Sequence, residues 1–361
     1  MRRAGVGPMS TVRSRGPVPV VLLAGFLGAG KTTVLNHLLR SGSGLRIGVV
    51  VNDFGAVSID ALLVSGAVDG AVTLGNGCIC CTTDADSLES VMGELAKPSA
   101  GLDVVVIEAS GLAEPTALVR MVTAARSDRI LYGGLIYLVD AEQFTETRTR
   151  HPQIDDHVAL ADLVVLNKTD RVSTDGAAAV HEAIRGANAS AAVLSTTHGV
   201  LDPAMLIDLP DTVADDGPRQ LELADLLADD HDAHDHDHAH LHDGYQSVDF
   251  STATPLHPRA LAAVLERPPV GVYRIKGVVF FDAPGHRGRY VVHGVGGHIS
   301  VTATRWAADE TPTTRLVVIG AGVDVDEVRT VLEATVAGDR TTDRQSMLAI
   351  TRYEHQGRRA S

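Results

Sequence analysis

The sequence has only three cysteines, and all of them fall between positions 78 and 81. A disulfide framework spreads its cysteines along the chain, so this clustering excludes one and points to a reducing, cytoplasmic setting. Long apolar runs are also missing. The longest candidates, such as Leu135 to Val139, are strand-sized, far short of the ~20 residues that cross a bilayer, so no membrane partner is expected. Nor is there a basic excess: the formal net charge is −14 and no segment carries a basic stripe, which argues against nucleic-acid binding. Residues 1–16 hold Arg2, Arg3, Arg13 and Arg15 but no apolar secretory core. They are expected to form a disordered tail without a function of their own.

What the chain does have is Gly25-Phe26-Leu27-Gly28-Ala29-Gly30-Lys31-Thr32-Thr33, set between the apolar run Val18 to Ala24 and a helical pattern from Val34 to Arg40. This reads as strand, phosphate loop and helix. A glycine-rich turn lets backbone N–H groups of Gly25, Gly28, Ala29, Gly30 and Thr33 close around phosphates, and the following helix presents its N-terminal N–H groups and dipole to an anion. Lys31 is expected to reach the β- and γ-phosphates, and Thr32 to hold Mg²⁺ through its hydroxyl. A nucleoside triphosphate site follows.

Further strands bring polar residues to their carboxyl ends. Arg46 to Val51 ends in Asn52-Asp53-Phe54-Gly55, which places Asp53 near the same phosphates, although Asn-Asp beside a glycine is also ordinary turn chemistry. Leu102 to Ile107 ends in Glu108-Ala109-Ser110-Gly111. There an acid can act on Mg²⁺ or its water shell, and a glycine N–H can sense the γ-phosphate. Pro115 then opens a helix. Leu135 to Val139 ends in Asp140, and Leu163 to Leu166 ends in Asn167-Lys168-Thr169-Asp170. The Asp170 carboxylate can accept from guanine N1 and N2, donors that adenine does not offer, while Asn167 and Lys168 fix the ring. Ala191 to Leu194 leads to Ser195 and the turn that closes over the base. Strands alternating with helices predict an α/β fold with a parallel sheet and right-handed crossovers.

Between the second strand and Glu108 lies Gly75-Asn76-Gly77-Cys78-Ile79-Cys80-Cys81. Free cysteine often only packs, but three in four positions favour a metal or redox role; thiolates are soft ligands for Zn²⁺ and similar ions, and Cys78, Cys80 and Cys81 are expected to bind one, although two or three thiols do not complete a tetrahedral shell. An open site of that kind suits transfer better than permanent structure. A second concentration of ligands lies farther on. From Asp211 to Asp243 there are eleven Asp or Glu against one Arg, with His231, His234, His236, His238, His240 and His242 among them. Such a segment has little apolar surface to pack, so residues 211–244 are read as a linker, either merely solvated or also capturing Zn²⁺, Ni²⁺ or Co²⁺.

With 361 residues, two domains are expected, because single cores stop growing near ~250–300 residues. Residues 17–210 form the first and residues 245–355 the second, a smaller α+β unit. Its strands are expected around Ser247 to Phe250, Gly277 to Phe281, Tyr290 to His293 and Leu316 to Ile319, with helices at Pro258 to Glu266 and Asp324 to Val336. His257, His286, His293, His298 and Trp306 read as structural or surface residues.

These motifs, in this order, resemble the CobW-like metallochaperone GTPases over nearly the whole chain. The likeness extends through Glu108 to Pro115, the histidine-rich linker, Tyr273 to Gly277, Trp306 and Arg315 to Gly320. It implies a P-loop GTPase domain followed by a CobW C-terminal domain that covers or relays from it. It also implies a slow GTPase that uses GTP/GDP and Mg²⁺, binds Zn²⁺ or Co²⁺ at the cysteine motif, and holds or releases the ion to a client protein. Metal, client or a nucleotide-dependent homodimer would accelerate it, since no Gln or arginine finger is evident. The chain departs from the family in one place: Asp53 and Ala56 stand where Asn-Glu-Phe-Gly-Glu is usual, near the metal and Mg²⁺ sites of relatives. The rival reading is a metal buffer or sensor with a mainly structural GTP site. A small-molecule kinase is disfavoured because neither domain shows a substrate acid–base pair.

Overall fold

The computed structural model describes residues 16–41, 45–51, 72–73, 91–111, 114–125, 127–206, 244–338, 340 and 342–354. Eight consecutive buried residues, Val18–Gly25, form β1. Apolar on both faces, they suit the middle of a parallel sheet with both faces covered. Helix α1 (Lys31–Arg40), β2 (Ile47–Val51), the two-residue β3 (Val72–Thr73) and β4 (Val104–Glu108) follow. Next come α2 (Pro115–Ala124), β5 (Ile130–Asp140), α3 (Phe144–Arg150), α4 (Ile154–Leu160) and β6 (Leu163–Asn167). Helix α5 (Thr174–Ala187), β7 (Ala192–Ser195) and α6 (Pro203–Leu206) complete this part.

The seven strands run parallel in the order β3-β2-β4-β1-β5-β6-β7. Their side chains alternate into two cores. Val34, Leu35 and Leu38 of α1 cover one face with Val21, Leu23, Val106 and Val165. Leu118 and Val122 of α2, Val158 of α4 and Ile184 of α5 cover the other with Val20, Leu22, Ile107 and Val164. Because all strands point one way, the phosphate loop, Glu108, Asp140, Asn167 and Ser195 arrive at one carboxyl edge, where open parallel sheets bind ligands.

Strand β5 starts five residues earlier than the apolar run Leu135 to Val139 indicates. Gly133 and Gly134 hid the extension, since paired glycines read as a break. The register with β1 shifts there, Val20 facing Tyr132 and Val21 facing Gly134, so Gly133 is the extra residue of a bulge, a usual place for glycine in a strand.

The second sheet is built from β8 (Gln246–Thr252), β9 (Val272–Phe280), β10 (Arg289–Val295), β11 (His298–Thr304) and β12 (Thr314–Gly320). It is antiparallel, ordered β11-β10-β9-β12-β8. Helices α7 (Pro258–Glu266), α8 (Val325–Glu333) and α9 (Arg344–Thr351) close one face around Leu261, Val279, Phe281, Val328 and Met347. Strand β11 and α9 escaped the sequence reading. Only Val301 of β11 is fully buried, so this edge strand lacks an apolar face, and α9 is short with a mixed surface.

The two sheets meet over a shared core. Tyr273, Val295 and Ala321 pack with Val21, Leu163 and Leu194 of the parallel sheet. The Tyr273 hydroxyl donates to the bulge carbonyl of Gly133 at 3.0 Å, and buried Arg274 donates to Leu206 O at 3.0 Å. His298 lies 4.2 Å, ring to ring, from Tyr132. His257 precedes the first turn of α7, His286 bonds the Tyr290 hydroxyl at 3.0 Å, His293 is buried in β10, and Trp306 meets Phe280 edge-on.

Candidate functional site

The loop after β1 turns through Gly28 and Gly30, both at positive φ, and delivers the chain into α1. Gly30 is required twice over. Its φ is 102°, and a Cβ there would lie 2.4 Å from Nδ2 of Asn167. That amide is the brace of the site, because Nδ2 donates to Ala29 O at 3.0 Å while Oδ1 accepts from Gly199 N at 3.0 Å. Asn167 is buried, so both bonds act where an unmet partner is costly. A single side chain thus fixes the phosphate loop and the turn after Ser195 to the end of β6.

The Lys31 ammonium folds back onto its own loop, donating to Gly25 O at 3.0 Å and Phe26 O at 3.3 Å. Thr32 donates its hydroxyl to Glu108 Oε1 at 2.9 Å. Glu108 is buried at the end of β4, which β1 adjoins in register at Leu23. Gly111 comes close from the same loop: a Cβ on it would stand 3.0 Å from the Leu27 backbone and 3.3 Å from Lys31 Nζ. Gly28, Gly30, Lys31, Thr32, Glu108 and Gly111 therefore line one open cleft, about 740 Å³ counting the solvent at its mouth. Such a space suits a small-molecule ligand.

Past the end of β6, Lys168 occupies the left-handed region at φ 61°, and Asp170 lies in the exposed 3₁₀ turn Thr169–Arg171. Thr169 holds this turn to the loop after β7 through its N–H and hydroxyl, which donate to Thr196 O at 3.3 and 3.1 Å. Ser195 ends β7 with its side chain exposed. The nucleotide residues expected from sequence thus gather at one edge. Asp140, given no role by the sequence reading, also belongs here: its Oδ2 accepts from Lys168 Nζ at 2.6 Å. The signal that could have revealed it is the one that marked Glu108, an acid at the carboxyl end of a buried strand.

Two family models match this chain. The CobW/HypB/UreG nucleotide-binding domain covers residues 19–195, and the cobalamin synthesis protein cobW C-terminal domain covers residues 245–336. The zinc chaperone YjiA of Escherichia coli is 31% identical over 323 residues, spanning 87% of this chain and 97% of its own. The chain belongs to the CobW family.

Other proteins are similar over most of the chain. The zinc chaperone CobW of Pseudomonas aeruginosa is 32% identical over 380 residues, covering 93% of this chain and 96% of its own. The crystal structure of Zn(II)-bound YjiA GTPase from E. coli aligns at 27% identity with a TM-score of 0.44, covering 89% of this chain and 99% of that one. The two family models identify the parallel sheet with its phosphate loop as a CobW-type P-loop GTPase domain and the antiparallel sheet with its helices as the CobW C-terminal domain. The metal half of the expected site is another matter. Asp53, Cys78, Cys80, Cys81, His231, His234, His236, His238, His240 and His242 all lie outside the described residues. Among the described residues, no group of three or more His, Cys, Asp or Glu is placed to hold a metal ion, and no helix is long and apolar enough to cross a membrane.

Proposed function

We propose that this CobW-family chain is a GTP-hydrolysing metallochaperone. It binds Zn²⁺ or Co²⁺ at Cys78, Cys80 and Cys81 and delivers the ion, in the cytoplasm, to a metal-requiring client protein under nucleotide control. The observation that carries the nucleotide half is the convergence of Lys31, Thr32, Glu108 and Gly111 on one cleft, whose loop Asn167 braces at Ala29. Similarity over most of the chain to proteins named zinc chaperones supports the cargo half.

The backbone N–H groups from Gly28 to Thr32 close on the phosphates at the start of α1, where the helix dipole favours an anion. Lys31 exchanges the carbonyls of Gly25 and Phe26 for phosphate oxygens, a swap that needs only a rotation of its flexible stem. The Thr32 hydroxyl and the Glu108 carboxylate are hard oxygen donors 2.9 Å apart, a set that would hold Mg²⁺. Bound there, it would supply positive charge that offsets the charge of the phosphates. Asp170 accepts from guanine N1 and N2, and Asn167 keeps loop and base turn in register. Gly111, packed against Leu27 and Lys31, feels whether a γ-phosphate is there. The strand that precedes it, β4, follows the cysteine segment in the chain, which gives a covalent route by which that segment would respond to nucleotide state. No Gln or arginine finger is evident among the described residues of the cleft, so turnover is slow until metal, client or a homodimer partner assists it.

Control of cargo requires unequal metal affinity in the two nucleotide states, about 1.4 kcal/mol for a tenfold difference. The test is titration of Zn²⁺ and Co²⁺ into the full chain with GDP and with a non-hydrolysable GTP analogue, for the wild type and Cys80→Ala. The expected result is at least a tenfold difference between nucleotides, abolished in the variant. Equal affinities in both states would reject controlled delivery in favour of a metal buffer with a structural GTP site.

A further inference from the structure

The carboxyl end of β5 carries a second acid that the phosphate chemistry does not use. Asp140 faces Asn167 across the parallel pair β5 and β6, and both are buried. Its carboxylate does two jobs at once. One oxygen, Oδ1, accepts from the backbone N–H groups of Glu142 and Gln143 at 3.0 and 3.3 Å, which locks the carboxylate against the following turn. The other, Oδ2, accepts from Lys168 Nζ at 2.6 Å. At that distance the bond is charge-assisted and strong, and the two side chains are only 8% and 19% exposed, so water competes weakly for either partner.

Lys168 is an unusual residue to hold so firmly. Its backbone is left-handed, φ 61°, which fixes the direction of its Cβ away from the course of β6. A lysine stem otherwise has four rotors and a large rotamer entropy to lose on binding. Pinning the ammonium at its far end leaves the methylenes stretched between two fixed points before any ligand arrives. The association step is then spared that ordering.

We propose that Asp140 is a positioning residue for guanine: by holding the Lys168 ammonium it presets the lysine stem as one wall of the base site, raising guanine nucleotide affinity without touching the nucleotide. This rests on the reading of Asn167-Lys168-Thr169-Asp170 as the guanine site. The effect belongs to ground-state binding. The base contacts are the same before and during hydrolysis, so Asp140 acts on KM for GTP and leaves kcat in place.

Asp140→Asn separates this role from that of a turn cap. The amide oxygen still accepts from Glu142 and Gln143 N–H, while the amide NH₂ presents a donor to an ammonium and releases it. The experiment is titration of a fluorescent GDP analogue, with steady-state GTP kinetics, on the full chain bearing Asp140→Asn, Lys168→Ala or both, with a melting curve for each. Expected are a roughly tenfold loss of GDP affinity and a matching rise in KM for Asp140→Asn. Its kcat should be unchanged, and in the Lys168→Ala background it should cause less than a twofold further loss. An equal loss in both backgrounds would overturn the inference and leave Asp140 a turn cap. No loss for Asp140→Asn beside a clear loss for Lys168→Ala would overturn it with the guanine reading intact. No loss for Lys168→Ala would overturn the guanine reading itself and the inference with it.

Discussion

Thr32, in the first turn of α1, and Glu108, at the end of β4, are 76 positions apart in sequence and share a 2.9 Å hydrogen bond. The bond sets a hydroxyl and a carboxylate side by side at the mouth of the phosphate loop. Glu108→Gln keeps an acceptor for Thr32 but removes the charge. The expected outcome is a fall in kcat for GTP of about 10- to 100-fold and a weaker dependence on Mg²⁺ concentration. Unfolding stability should stay within about 1 kcal/mol of wild type. Phosphate release measured across a Mg²⁺ titration, with a urea melt alongside, checks both; an unaltered Mg²⁺ dependence would remove Glu108 from the metal shell.

At Gly30, substitution acts through shape. An alanine there must hold φ near 102° with its Cβ 2.4 Å from Asn167 Nδ2. Either the loop or the amide brace must move. Gly30→Ala is expected to cost roughly 1–3 kcal/mol in stability and to weaken nucleotide binding more than the stability loss alone explains, because Asn167 also holds Gly199. Denaturant unfolding with and without GDP measures it. A wild-type melt combined with wild-type affinity would mean the loop has another way to close.

The contact between domains makes a prediction of its own. Tyr273 is fully buried and its hydroxyl serves the Gly133 carbonyl of the bulge. Tyr273→Phe keeps the ring and orphans that carbonyl, a loss of about 1–3 kcal/mol. Differential hydrogen exchange should place the effect in β5 and β9. Protection lost only in β9 would show that the bulge is not held by the tyrosine.

Acid stability should carry the mark of Asp162. Its carboxylate accepts from the Tyr132 hydroxyl at 2.6 Å and from Leu135 N–H at 2.8 Å. Burial nevertheless pushes its pKa up to about 6, the two hydrogen bonds only moderating the rise. The unfolded value is ~3.9, so between these limits the folded chain binds the proton more tightly. This contribution is complete below about pH 4 and is lost as pH rises through about 6, a change on the order of 2–3 kcal/mol. Other groups at the junction shape the curve. Burial pulls the His298 imidazole below its ordinary range, so its contribution is present at neutral pH and lost on acidification. Burial and the Asp162 charge both push the Tyr132 phenol well above its ordinary range. Burial likewise pushes the Tyr273 phenol above its ordinary range, so both tyrosines stay neutral throughout. Asp162→Asn should erase the fall between pH 4 and 6 while leaving the histidine limb, as read by urea unfolding at stepped pH.

Much of this site could be read from residue order. Gly25 to Thr33 specify a phosphate loop because their chemistry is local: glycines at sharp turns, a lysine and a threonine at a helix start. Glu108 and Asn167 were legible because a polar residue that ends a buried parallel strand must sit at the ligand edge. The first half of β5 was not legible, since Gly133 and Gly134 make sense in a strand only when Tyr273 and β1 supply the reason for a bulge. Strand β11 was missed for a related cause: its exposed side chains give no alternating pattern, and pairing with β10 alone makes it a strand.

The sequence by itself determined the family, the order of the parallel strands' chemical ends and the residue types offered to a nucleotide, because those depend on spacing of a few residues. Only the tertiary structure decided that Asp140 holds Lys168, that Asn167 braces two loops at once, and that Tyr132, Asp162 and His298 form the seam between two sheets. Each of those contacts joins residues distant in the chain. Their geometry is fixed by strand register and sheet packing, which no short stretch of sequence contains.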